Sequence, residues 1–327
     1  MQLTQEQLKK FISGAIRIEE TERGLLLFRM TDAQKTAFAP FGAMKCDATA
    51  GMKLELLTDA ESLTLSYCDA RPASSRSKCL FDVTEDGVLV ATVGEDPIEA
   101  GEGCITVPLS AGYKRVTVYF PNLATFTLKE ILLPDGSRAD APRYERNILC
   151  LGDSITHGYD AGHPSLAYPN QLGERFRARV WNCGIGGARF SADTLDDTVP
   201  FKPDFITVAY GTNDWSHLSA EELAENAHAY FSKLCWMYPK TRIFAILPIW
   251  RKDEGRETAC GTFDRCYEIL GKICRISKWI TPVNGKKLTP HLPDFYTDGL
   301  HPNDAGFLLY GKNLGDEIAR TLSLQKK

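Results

Sequence analysis

The sequence predicts a three-layer α/β domain with a doubly wound parallel sheet, preceded by an all-β sandwich, and three observations over its 327 residues carry that expectation. Beyond residue 146, short unbroken apolar runs alternate with longer segments of helical period, the pattern of parallel strands covered by helices on both faces. Before residue 135, apolar and polar positions alternate in short runs with the two-residue period of half-buried antiparallel strands. Between the two, Pro134, Asp135-Gly136-Ser137 and Ala141-Pro142 form a polar, turn-rich stretch, which places a boundary at about 135–146. The expected domains are therefore 1–140 and 146–327. A chain of this length exceeds the usual size of one hydrophobic core, and an apolar share of 43% is enough to build two.

In the first half, the strand signal lies in Leu54/Leu56, Leu63/Leu65/Tyr67, Val116/Val118/Phe120 and Phe126/Leu128. Thr84-Glu85-Asp86-Gly87 reads as a hairpin turn, because an Asp-Gly pair tolerates the positive φ angles that a tight turn requires. In the second half, Ile148–Leu151, Val180–Cys183, Phe205–Tyr210 and Ile243–Leu247 are the expected parallel strands. A helix opens at Ser219-Ala220-Glu221-Glu222, a capping box, and carries Leu223, Ala227, Phe231, Leu234 and Tyr238 on one face. Another spans roughly 306–322.

Composition narrows the function classes. A net charge of -4 with no run of Lys and Arg argues against a nucleic-acid or anionic-membrane partner. No apolar run approaches the roughly 18–20 residues of a membrane span, and the N-terminal MQLTQEQLKKFISG has no apolar core behind its charges, so a cytoplasmic protein is expected. Ten scattered cysteines with no C-x-x-C pair read as free thiols in a reducing compartment.

The chemistry is expected at residues 150–158, CLGDSITHG, where the first strand of the second half ends. In an open α/β sheet ligands bind outside the carboxyl ends of the strands, so Ser154 sits at such a position. Taken alone, Asp153 or Ser154 is as well explained as a helix cap. The stretch is not a G-x-S-x-G elbow either, since Thr156 stands where that motif needs glycine. A nucleophilic serine requires a base, a carboxylate to orient it, and donors for the developing oxyanion. Two Asp-x-x-His patterns offer the first two: Asp160/His163, in a short loop after Ser154, and Asp298/His301, on a Tyr-Thr-Asp-Gly-Leu-His-Pro-Asn loop near the C-terminus. His301 can approach from a different strand end and is the stronger candidate. His157, His217, His228 and His291 lack such a carboxylate and are expected to be structural, and no metal-ligand spacing joins the histidines. Trp181-Asn-Cys-Gly-Ile-Gly-Gly-Ala and Tyr210-Gly-Thr-Asn-Asp-Trp215 follow the second and third strands, where amides and a polar side chain can converge.

Gly-Asp-Ser-Ile-Thr, Asn-x-x-x-x-Gly, Gly-Thr-Asn-Asp and Asp-x-x-His, in that order after successive strands, closely resemble the four sequence blocks of the SGNH (GDSL-like) esterase superfamily, over about residues 146–322. The resemblance implies a flavodoxin-like sheet and a serine esterase that needs no cofactor and no metal. It implies Ser154 as nucleophile, His301 as base and Asp298 as its orienting acid. The implied oxyanion donors are the amides of Ser154 and Gly187 and the side chain of Asn213, with Gly186 as an alternative register. The all-β half is similar to the jelly-roll-like sandwich that precedes the catalytic domain of some carbohydrate esterases of this superfamily. The expected function is hydrolysis of acyl esters, with O-acetyl groups on small or oligomeric carbohydrates as the favoured substrate. Asp153, Trp215 and Trp250 are candidate substrate-binding residues, the two tryptophans as walls for a sugar ring or else as ordinary packing aromatics. A lipid esterase, lysophospholipase or thioesterase is the alternative within the superfamily. A non-enzymatic carbohydrate-binding protein is the alternative from another class. The oligomeric state is not legible.

Overall fold

The computed structural model describes residues 1–324. The N-terminal half is two antiparallel sheets packed face to face. One runs Ile12–Ser13, Lys53–Thr58, Lys114–Tyr119, Cys79–Glu85, Val88–Glu95, with Ala139–Asp140 added beside Lys53–Thr58. The other runs Arg17–Thr21, Gly24–Phe28, Ala124–Leu132, Ser62–Pro72, Gly103–Pro108. Leu54, Leu56, Leu63, Leu65, Val116, Val118 and Leu128 fill the space between them, as the two-residue period requires. Tyr67, Phe81, Phe120 and Phe126 form an edge-to-face cluster at its centre, with Phe81 and Phe126 centroids 5.0 Å apart at 77°. The Asp86-Gly87 turn has φ 49° and 87°, the mirror-image turn its composition predicts. The period-two reading passed over two short capped helices in this half, Gln5–Phe11 and Asp32–Ala37, each opened by a Thr–Gln capping box.

The second half is a five-stranded parallel sheet. In chain order its strands are Arg146–Gly152, Ala178–Gly184, Phe205–Ala209, Arg242–Ile246 and Ile280–Val283. In space the second lies outside the first, so the order is second, first, third, fourth, fifth. The topological switch therefore falls at the first strand, the one that leads into Ser154. The fifth strand was not foreseen, because four residues interrupted by Pro282 give too short an apolar run; a strand at the sheet edge tolerates the missing donor. The helix Ala220–Met237 opens as expected, with Glu222 N–H donating to Ser219 Oγ and Ser219 N–H to the Glu222 carboxylate. The last helix covers Asp304–Leu324. Among the described residues, no helix is long and apolar enough to cross a membrane, and all ten cysteines are free.

The change of sequence character near residue 140 does not divide the packing cleanly. Met30, Phe38 and Cys46 share a core with Leu149, Leu151, Trp181 and Ile206 of the parallel sheet. At the centre of this junction Arg29 is fully buried. Its guanidinium donates to four carbonyls: Ala48 O at 2.8 Å, Lys45 O at 2.7 Å, and Asn182 O and Gly184 O, each at 2.9 Å. Trp181 Nε1 donates back to Arg29 O at 2.6 Å.

Candidate active site

Ser154 begins a single helical turn, Ser154–His157, immediately after the first parallel strand. Asp153 caps it, accepting from Ile155 N–H at 3.0 Å, and Gly158 ends it in the left-handed conformation. The Ser154 N–H stands at the helix start, where no carbonyl lies one turn earlier to accept it. Asn182 braces the turn from the second strand, its Nδ2 donating to Thr156 O at 2.8 Å.

The C-terminal loop brings His301 to this turn. His301 Nε2 lies 2.8 Å from Ser154 Oγ, and Nδ1 lies 2.7 Å from Asp298 Oδ2. Asp298 also fixes the loop itself, its Oδ1 accepting from His301 N–H at 2.8 Å and Leu300 N–H at 3.0 Å. Burial pushes the Asp298 carboxyl up, but the bonds from the His301 amide and ring outweigh it and hold the group below its usual range. An ionised Asp298 assigns the Nδ1–H tautomer, which leaves Nε2 free to accept the serine proton.

The three expected oxyanion donors follow the first, second and third strands, which are neighbours in the sheet. Gly186 and Gly187 differ in their hydrogen bonding. Gly186 N–H donates to the buried His157 Nδ1 at 3.3 Å, whereas Gly187 is exposed, with φ 81°, and its N–H has no acceptor among the described residues. Asn213 Nδ2 donates to Ala188 O at 3.1 Å, which leaves its second amide hydrogen for a ligand. Asp214 laces these loops together: its carboxylate accepts from Phe190 N–H at 3.0 Å and Gly211 N–H at 3.1 Å. Arg251 braces the short helix Thr212–His217, which carries Asn213 and Asp214, through Thr212 Oγ1 at 2.9 Å.

The N-terminal half reaches the site from two sides. Lys45 Nζ donates to Gly186 O at 2.7 Å, beside the Gly187 turn. Arg76 grips Asp160 through both nitrogens of its fork, at 2.7 and 3.0 Å. Sequence reading missed Arg29, Lys45 and Arg76, because their partners in the second half lie between 84 and 155 positions away.

The Asp160/His163 pattern does not form a pair. Asp160 turns toward Arg76 and His301, while His163 Nδ1 lies 2.9 Å from Thr92 Oγ1 and 3.3 Å from Asp82 in the sandwich. His157 is fully buried; burial, and then the Arg29 charge, hold its imidazole well below the usual value and keep it neutral. His217 and His291 bond to the carbonyls of Asn213 and Lys286.

Of the three substrate-binding candidates, Trp215 and Asp153 are corrected by their burial. Trp215 is fully buried, its Nε1 donating to Gly261 O at 3.0 Å and its ring packed on Phe263, so it cannot wall a cleft. Trp250 is half-buried against Tyr296, centroids 4.9 Å apart, and stacks on His291, so it buttresses the loop that carries Asp298 and His301. Asp153 is 2% exposed and committed to capping. Burial pushes its carboxyl up to about 7, against the pull of the Ile155 amide and with help from the Asp214 charge. A carboxyl pKa raised in the folded state binds its proton more tightly there, so this stability is present at low pH and lost as pH rises from about 4 through about 7. Asp153→Asn keeps the cap but cannot ionise. It is therefore expected to melt above wild type at pH 8 and together with it at pH 4; equal differences at both pH values would refute the charge account.

Residues 150–309 match the GDSL-like Lipase/Acylhydrolase family. No curated protein matches the chain. Among solved structures, the salicylyl-acyltransferase SsfX3 from a tetracycline biosynthetic pathway is 20% identical, with TM-score 0.75 over 95% of this chain and 94% of its own. An acetyl xylan esterase, Est2A, from the rumen bacterium Butyrivibrio proteoclasticus is 14% identical, with TM-score 0.65 over 96% of both chains. A family two carbohydrate esterase from Clostridium thermocellum, in complex with cellohexaose, is 16% identical, with TM-score 0.65 over 84% of this chain and 94% of its own. These likenesses establish the fold, a parallel α/β sheet with a preceding β-sandwich.

Proposed function

We propose that this chain, whose residues 150–309 match the GDSL-like lipase/acylhydrolase family, is a serine esterase that acts on acyl esters, with O-acetyl groups on carbohydrates as the favoured substrate. The observation that carries the reading is the aligned series Ser154 Oγ, His301 and Asp298, linked at 2.8 and 2.7 Å. Ser154 Oγ attacks the ester carbonyl as His301 Nε2 takes its proton, and Asp298 stabilises the imidazolium that forms. The negative charge moving onto the carbonyl oxygen meets Ser154 N–H, Gly187 N–H and the Asn213 amide, each worth roughly 3–4 kcal/mol in sites of this kind. Collapse expels the alcohol, which takes the proton from His301 and leaves an acyl group on Ser154. Water, deprotonated by the same imidazole, then releases the acid. None of these steps requires a cofactor.

The acetyl-carbohydrate preference is supported by relatives whose structures carry this same pairing of sandwich and parallel sheet, one of them an acetyl xylan esterase. An organophosphonate is expected to add once to Ser154, read as one mass increment on the intact protein and absent in Ser154→Ala. Turnover of p-nitrophenyl acetate above the butyrate and octanoate esters checks the acyl group. An adduct that persists in Ser154→Ala removes the nucleophile assignment, and preference for octanoate moves the reading to lipids.

A further inference from the structure

The loop after the nucleophile holds a second carboxylate against the base. Asp160 Oδ2 lies 3.6 Å from His301 Nδ1, the nitrogen already bonded to Asp298 at 2.7 Å. A carboxylate oxygen of each of Asp160 and Asp298 and a ring nitrogen of His301 all fall within 4.8 Å of one another. Asp160 is well shielded, its side chain 7% exposed. Its backbone sits at φ 64°, a left-handed conformation that aspartate adopts at some cost and that needs support from its surroundings. Arg76 supplies that support from the sandwich, closing on both carboxylate oxygens. The same guanidinium lies 5.5 Å above the Tyr159 ring, and that ring stacks on His301 at 5.7 Å and 29°.

The charges around His301 can be named from each element packed on it. Asp298 lies on its own loop, and Asp160 and Tyr159 lie on the loop after the nucleophile turn. Lys252 packs its side chain against Gly299. Asp304 holds the amides of Gly162 and His163. Arg76 is the cation seated on the Asp160 carboxylate.

We propose that Arg76 and Asp160 are a positioning pair through which the N-terminal sandwich sets the proton affinity of His301, Asp160 lending it a second negative charge and Arg76 limiting how much. A bare second carboxylate at Nδ1 overstabilises imidazolium and competes with Asp298 for the ring proton. The bidentate fork offsets that charge and holds Asp160 beyond hydrogen-bond distance of the ring. This rests on His301 being the base of the esterase reading, so the test is read without turnover.

The experiment follows the titration of His301 by NMR in protein labelled with 13C at histidine Cε1, with His301→Gln identifying the signal. Arg76→Gln leaves the Asp160 charge uncovered and raises the midpoint by roughly half a unit to one unit. Asp160→Asn leaves the Arg76 charge uncovered and lowers it by a similar amount. The double variant returns to within about 0.3 of wild type, and Arg76→Lys, which keeps the charge, also stays near wild type. Shifts of the same sign in the two single variants, or none, overturn the proposal. Should Arg76→Gln not fold, the near-isosteric Asp160→Asn decides alone: an unchanged or raised midpoint overturns it. If the midpoints move as stated but no ester is turned over, the positioning pair stands and the esterase reading falls.

Discussion

His301→Ala is expected to lose at least a thousandfold in kcat on a small aryl acetate while keeping its circular dichroism spectrum. The magnitude follows from the unit behaviour of a nucleophile and its base: without Nε2 at 2.8 Å, Ser154 Oγ has no proton acceptor and remains an ordinary alcohol. The residual rate comes from the oxyanion donors, which the substitution leaves in place. Asp298→Asn is expected to fall nearly as far, because an amide beside Nδ1 can hold the ring in the wrong tautomer without moving it. His163→Ala is the control. Its ring is bonded to Thr92 and Asp82 on the sandwich side, not to Ser154, so kcat stays within about tenfold of wild type. An active His301→Ala beside an inactive His163→Ala would move the site to the loop that follows Ser154. Comparable rates for all three variants would remove the triad altogether.

What was legible in the sequence was what is local. Ser154 stands at the end of an apolar run, Asp298 and His301 are three apart, and Ser219 and Glu222 make a capping box, so each is visible within a few residues. The bond that occupies the Gly186 amide runs to His157, 29 positions earlier, and so has no trace in the Gly-Ile-Gly-Gly stretch itself. Trp215 was placed correctly in the chain but not in space, because following a functional block does not reveal which face of the next turn a ring takes. The Asp160-x-x-His163 pattern, the weaker of the two in the sequence, does not close into a pair. Three-residue spacing permits a pair without making one: Asp298 and His301 close at 2.7 Å on their loop, whereas Asp160, at positive φ, is held by Arg76. The cations that organise the site from the sandwich, Arg29, Lys45 and Arg76, carry no local signature, since each is defined by carbonyls or carboxylates contributed by distant loops.

Those long-range bonds make the N-terminal half part of the site's support, and Arg29→Met tests this most sharply. The substitution roughly keeps the buried volume but removes the guanidinium donors to Ala48 O, Lys45 O, Asn182 O and Gly184 O. Two effects oppose each other. Removing a buried cation relieves its desolvation, which already lowers the proton affinity of this guanidinium. Stripping four charge-assisted bonds from buried carbonyls costs about 1.5–3 kcal/mol each before relaxation. The second effect is larger, so a net loss of several kcal/mol and a fall in Tm on the order of 10 °C are expected. Because Asn182 and Gly184 lead directly into the Gly187 turn, kcat should fall with stability even at temperatures where the variant is folded. A chain beginning at Arg143 loses Arg29 together with Met30, Phe38 and Cys46 from the shared core. It is expected to lack a cooperative melting transition, contrary to the independence that the change of sequence character near residue 140 suggests. An Arg29→Met protein melting within about 2 °C of wild type, or a truncated chain that melts cooperatively and turns over ester, would show that the α/β half organises its site alone.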